Sequence, residues 1–322
     1  VVPEAADAVK RVAAQELQKH LSLITGISLP IVTAVPQGKY PFYVGLTPEN
    51  NANALVREEA RWCVQPQGCW IYGEDFCPAP SRSGIGDETL VWQKGIRTGT
   101  LFAVYDLLEK QFGIRWIEPG DDGIVFAEGP LLLTAGEGRW TPGQLLQREL
   151  RISSLLKNWN VYRKNCDENG LPELKMSEDE YNRFIGDLRT WLRRQRMGNS
   201  VTFRYGHAFT DWWKKYGKSH PEYFAMQADG MRHPEHQNQP DRCKLCVSNP
   251  AVAQRIVDDW LAQNPRPDSI NVCENDSSGF CRCQECLKLD VPSPGEPFDS
   301  HLTDRYVYLA KKKKKLAAEH DP

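Results

Sequence analysis

The sequence predicts an α/β protein in two parts: an N-terminal α+β domain over residues 1–138, then the first part of a (β/α)8, TIM-like barrel over residues 145–322. Three observations carry this reading. The first half mixes amphipathic helices with short apolar strands. The second half repeats the order strand, loop, helix, strand. Between them, Trp140, Pro142 and Gly143 mark a linker.

From Glu4 onward, Val9, Val12, Ala13, Leu17, Leu21 and Ile24 recur at three- and four-residue steps. Gly26 follows where a left-handed cap belongs, so this stretch is one amphipathic helix. PFYVGLT (41–47) and CWIY (69–72) read as buried strands bounded by Gly or Pro. A second helix over 98–112 carries Leu101, Val104, Tyr105 and Leu108 on one face and stops at Gly113. Residues 114–117 (IRWI), 123–126 and 131–134 complete a set of short strands, which suits a small sheet with helices on one face.

After the linker, ELRIS (149–153) is a candidate strand. Ser177 and Glu180 form a capping box ahead of the stripe Tyr181, Phe184, Ile185, Leu188, Trp191 and Leu192, which ends by Gly198. SVTFRY (200–205), KLCVS (244–248) and SINVC (269–273) read as strands. Between the last two, Ser248 and Pro250 open a helix with Val252, Ile256, Val257, Trp260 and Leu261 inward.

Composition limits the function. The 322 residues are 40% hydrophobic and 25% charged, which excludes disorder, and no apolar run approaches the length of a membrane span. A net charge of -2 gives no basic field for nucleic acid. Ten tryptophans suit sugar-binding surfaces, where an indole covers the apolar face of a pyranose, and equally suit a core. Ten cysteines point to an oxidising compartment or a metal site.

In a barrel the residues that follow strands converge on one face, so His207, Asn249 and the run Glu274, Asn275, Asp276 are the candidates for chemistry. Asp276 is the first choice for a general acid or base and Glu274 the second; the alternative for each is a turn or capping carboxylate. His207, Arg204, Asn249, Asn275, Trp212 and Trp213 are candidate sugar contacts, by hydrogen bonding or stacking.

Two segments, AAQELQKHLSLITGISLPI (13–31) and GIRTGTLFAVYDLLEKQFGIRWIEPGDDGIVF (95–126), resemble the accessory domain that precedes the barrel in family 67 alpha-glucuronidases and family 20 beta-hexosaminidases. In those families the domain carries no catalytic residue, so the resemblance implies none here. The stretches GHAFTDWWKKYGKSHPEYFAMQADGMRH, CKLCVSNPAVAQRIVDDWL and INVCENDSSGFCRCQECLKLD resemble the bacterial domain-of-unknown-function family 4838, in order and spacing, over about residues 145–310. Its motifs fall on His207, residues 220–224, Cys246, Ser248, Asn249, Pro250, Asn275, Asp276, Cys281, Cys283 and Cys286. The resemblance implies a secreted or surface glycoside hydrolase.

Cys243-x-x-Cys246 and Cys281-x-Cys283-x-x-Cys286 bring five thiols to the expected site loops. A structural zinc ion held by four thiolates is one reading. Disulfides are the other, with Cys281 paired to Cys286, Cys283 to Cys246, and Cys243 left for Cys273 or a more distant thiol. A catalytic zinc would draw on His233 and His236. In each case the thiols pin the loop that carries Asp276.

From Ser300 the chain is again helical, with Tyr306, Leu309 and Leu316 inward. An apolar residue belongs near 313, yet Lys313 stands there within the run 311–315. Only about four barrel strands are visible, so the rest of the barrel is expected outside this chain. The expected protein is an extracytoplasmic glycosidase acting on a glycan through strand-end carboxylates, with no cofactor required. The rival is a non-catalytic carbohydrate-binding or surface-assembly protein on the same fold.

Overall fold

The structure, a computed structural model, describes residues 1–48, 54–77, 95–150, 158–170, 175–201, 203, 206–267, 269–291, 295, 297 and 301–320. The chain divides into two compact units, Val1–Thr202 and Phe203–Pro322.

In the first unit, helix α1 (Ala8–Thr25) starts at Asp7, whose carboxylate accepts from the Lys10 backbone N–H at 3.0 Å. It stops at Gly26 in the left-handed region. Strands β1 (Phe42–Val44), β2 (Ala60–Gln65) and β3 (Gly68–Gly73) follow. Two-residue strands β4 (Asp75–Phe76) and β5 (Arg97–Thr98) pair with each other, and α2 (Gly99–Phe112) runs on to Gly113. Strands β6 (Arg115–Trp116) and β7 (Ile124–Val125) form another short pair, and β8 (Gly136–Trp140) closes a four-stranded sheet of order β1-β3-β2-β8. Only β1 and β3 run parallel within it.

Alternation along the strands builds the core. Register aligns Val44, Ile71 and Trp62 across the sheet, and this face packs with Leu17 and Leu21 of α1 and Leu101, Phe102 and Leu108 of α2 in one buried cluster. Opposite Trp62 stands Gly138, where a Cβ would lie 2.2 Å from the indole nitrogen, so only glycine fits; the indole N–H donates to Asp106 at 2.8 Å.

The first unit continues past the expected linker. Strand β9 (Gln147–Arg148) pairs with β10 (Gly198–Asn199), and helices α3 (Trp159–Glu168) and α4 (Glu178–Arg194) lie between them in sequence. The capping box of Ser177 and Glu180 is formed. Buried ion pairs from Glu16 to Arg194 (3.0 Å) and Arg193 (3.4 Å), with a Trp191 indole bond to the Trp116 carbonyl at 3.0 Å, tie α4 to the N-terminal elements. Two strands differ from expectation: 131–134 forms no strand while the strand falls at β8, and pairing near ELRIS is at 147–148, with 151–153 outside the described residues.

The second unit holds α5 (Trp212–Tyr216), α6 (Pro250–Leu261), α7 (Gln284–Leu287) and α8 (Thr303–Ala318). The mixed α/β class holds for the chain. The described residues of this unit, however, form no closed barrel. Of 200–205, Ser200, Val201 and Phe203 are not in a strand and the others lie outside the described residues. Residues 244–248 make only an isolated antiparallel bridge, Leu245 to Phe224, and 269–273 make none. The physical reason is that ladder donors are taken elsewhere: the Leu245 N–H bonds the Glu274 carboxylate at 2.8 Å and the Cys273 N–H bonds the Asn271 side chain at 2.9 Å.

Candidate metal centre and the adjoining loop

Four cysteines of the second unit converge. The ligand-capable atoms of Cys246, Cys281, Cys283 and Cys286 all lie within 4.8 Å of one another, close enough to hold a metal ion. The Cys246 sulfur is 3.7 Å from that of Cys283 and 3.9 Å from that of Cys286. Cys246, Cys281 and Cys286 are buried and Cys283 half-buried. Cys246 leads into the turn that starts α6, and the other three flank the first turn of α7, so a tight turn presents each sulfur inward.

Polar groups surround the sulfurs. The Met226 N–H reaches the Cys281 sulfur at 3.3 Å, and the Ser248 hydroxyl lies 3.1 Å from the Cys286 sulfur and 3.6 Å from that of Cys246. The Arg232 guanidinium faces the Cys246 sulfur, and Arg305 donates to the Cys281 carbonyl at 2.7 Å while pairing with Asp290. Hydrogen bonds from the Cys281 and Cys286 thiols hold the Cys246 thiol below its ordinary pKa. The Cys246 sulfur in turn pushes Cys281 up to about 11 and raises Cys286 as well. Cys243 does not join this cluster: it packs among Trp212, Phe224 and Leu245, and burial, then the nearby Glu274 charge, pushes its thiol up to about 12. Cys273 is exposed. His233 is also elsewhere, bonded to Asp229 at 2.9 Å and to the Pro234 carbonyl at 2.7 Å.

The loop between these thiols carries the sequence candidates. Asp276 is exposed, and its carboxylate lies 2.9 Å from His207 Nε2, so these two are brought together. Glu274 is buried instead: it accepts from the Leu245 N–H and the Tyr306 hydroxyl and lies 3.8 Å from Lys244 Nζ. Burial pushes its carboxyl up, against the pull of Lys244 and Tyr306. Asn275 is buried and contacts the Cys243 carbonyl, while its own carbonyl accepts from Lys244 Nζ at 2.6 Å. Asn249 caps α6, accepting from the Ala251 N–H at 3.0 Å and donating to the Glu222 carbonyl at 2.9 Å. Trp212 is buried against Phe209, Tyr216 and Tyr223, and half-buried Trp213 packs its edge on Phe224. Arg204 lies outside the described residues.

Sequence reasoning missed Lys244, Tyr306, Arg232 and Arg305. The one available signal was Lys244, a charge inside an otherwise apolar strand-like run. It also missed a cleft of about 550 Å³ lined by Asp229, His233, Glu235, Phe280 and Arg282.

Clustered, largely buried thiols among turns, with an exposed carboxylate–histidine pair at the neighbouring loop, define a cysteine-rich unit with a metal-capable centre in a mixed α/β chain. Residues 157–309 match the model of a family described as a domain of unknown function, DUF4838. That match covers the cysteine cluster, His207 and Asp276. No curated protein and no solved structure matches the chain.

Proposed function

We propose that the chain is part of an extracytoplasmic glycoside hydrolase in which Asp276 is the general acid or base and His207 orients it. The observation that carries this reading is the 2.9 Å pair between the two side chains at an exposed loop. Support for the substrate class comes from the resemblance to family 67 and family 20 enzymes and to family 4838, which also supplies the barrel architecture and the location outside the cytoplasm. The cleft around Phe280 offers an aromatic wall beside Asp229, His233, Glu235 and Arg282, the mix of apolar face and polar groups that a sugar ring takes. Glu274, bonded on both oxygens, anchors the loop beneath Asp276. In the same reading the four clustered cysteines hold a structural zinc ion and take no part in the chemistry.

The test is Asp276→Asn in the full chain, assayed on a panel of glycans. Turnover falls by about a hundredfold or more while circular dichroism is unchanged; retained turnover removes Asp276 from the chemistry. One observation favours the second reading, a non-catalytic glycan-binding protein: glycosidases generally use two carboxyl groups, and Glu274, the neighbouring carboxylate on this loop, is buried and engaged. Sugar binding by the unaltered chain without turnover would select that reading.

A further inference from the structure

We propose that zinc occupancy of the Cys246, Cys281, Cys283 and Cys286 site controls the order of the loop over residues 274–287, and through it the Asp276–His207 pair. This rests on the zinc reading given above and names the regulation of that site.

The geometry favours one metal over two disulfides. Four sulfurs at about 2.3 Å from a tetrahedral centre stand about 3.8 Å apart. The Cys246 sulfur is 3.7 and 3.9 Å from two of its neighbours. A disulfide requires about 2.05 Å, and two disulfides would draw the sulfurs into separate close pairs, whereas all four lie within 4.8 Å of one another.

The surroundings suit the charge. Zinc with four thiolates carries two net negative charges, and binding sends the thiol protons to solvent. Arg232 faces the Cys246 sulfur and the Met226 N–H donates to the Cys281 sulfur; the Ser248 oxygen accepts from the Cys286 thiol at 3.1 Å, and a thiolate there would accept from the Ser248 hydroxyl instead, as the outer shell of a thiolate site requires. An entry path exists, because Cys246 and Cys283 line an open cleft of about 520 Å³ with Arg232 and Ser248.

The coupling follows from chain order. Cys246 lies before α6 and the other ligands lie after the Asp276 loop, so one ion closes a chain segment that contains both. Lys244 and Leu245, just ahead of Cys246, grip the same loop through the Asn275 carbonyl and the Glu274 carboxylate. Without the metal, no bond joins Cys246 to the three cysteines beyond the loop, and the two ends of the segment separate.

The experiment measures zinc in the purified full chain by elemental mass spectrometry, substitutes cobalt(II), and follows hydrogen exchange with and without chelation. We expect one zinc per chain, the visible bands and sulfur-to-metal charge transfer of a tetrahedral thiolate cobalt site, and a loss of protection over 274–287 of about tenfold or more on chelation, with α2 unchanged. Cys283→Ser weakens zinc affinity by about tenfold or more, and Cys273→Ser leaves it unaltered. A metal-free protein with Cys246 and Cys283 in disulfides overturns the zinc reading itself. Zinc bound with a tetrathiolate spectrum but unchanged protection over 274–287 overturns the control of the loop and leaves the metal site standing. Neither outcome depends on glycan turnover.

Discussion

At the scale of single residues, Lys313 shows how one side chain sets a local cost. Its helix turns Leu309 inward, and the position one turn on is 1% exposed, with the ammonium left without a hydrogen-bond partner and 5.9 Å from the Phe209 ring. Burial, opposed by the Glu274 charge, lowers its pKa to about 8. The unfolded chain, at the ordinary lysine value, therefore binds more protons between pH 8 and about 10.5. The destabilisation is fully present below pH 8 and is relieved as pH rises across that window. Lys313→Met should raise stability at pH 7 by about 1–3 kcal/mol and flatten the rise between pH 8 and 10.5, measured by urea unfolding. A variant less stable than the parent at pH 7 would mean that the ammonium is favourably paired.

Between elements, the join of α1 to α4 rests on Glu16 with Arg193 and Arg194, all buried. Burial alone would raise the Glu16 carboxyl; Arg194 and Arg193 outweigh it and hold it at about 2. A carboxyl depressed in the fold stabilises above its ordinary pKa, near 4.5, and the contribution is lost as pH falls toward 2. Glu16→Gln should cost about 3–5 kcal/mol at pH 7, because two guanidiniums keep no anion, and should remove most of the acid sensitivity between pH 4.5 and 2 in denaturant titrations. This join was not legible in the sequence, although its helices were. Helices α1, α2, α4 and α6 announce themselves through Gly26, Gly113, the Ser177 capping box and Pro250, because local signals fix helix ends. Strand β2 and helix α3 went unread: β2 takes its pairing from β3 and β8, and α3 packs only a few apolar groups, Tyr162 and Cys166 among them. In the second unit the apolar runs looked like strands, yet Glu274 and Asn271 claim backbone donors by side-chain bonds that no periodicity encodes. The cysteine spacing did locate the metal-capable centre. It could not exclude Cys243, because which thiols turn inward depends on where Trp212 and Phe224 pack.

For the molecule as a whole, the two units bury their apolar groups differently. The first has one large core joining α1, α2 and the four-stranded sheet, with a small separate cluster of Tyr162, Cys166, Tyr181 and Ile185 on α3 and α4. The second divides its buried groups between a cluster around Trp212 and Phe224 and another built on Ala225, Val247 and Leu309 together with Cys246, Cys281 and Cys286. Cores of that size supply little stability by themselves, which is the situation in which small domains use a metal or covalent staple. The sulfurs are thus part of the second unit's core as well as its candidate ligands. Removing a bound ion then takes away a cross-link and leaves buried thiols beside a guanidinium, whereas the described residues of the first unit contain no comparable ligand cluster. Calorimetry of the intact chain should therefore show two transitions, of which only one moves down on chelation, by about 10 °C or more, and returns when zinc is restored. Assignment is direct: Glu16→Gln shifts the transition that chelation leaves in place. A single transition, or equal displacement of both by chelator, would contradict the separation of the metal's stabilising effect from the first unit's core.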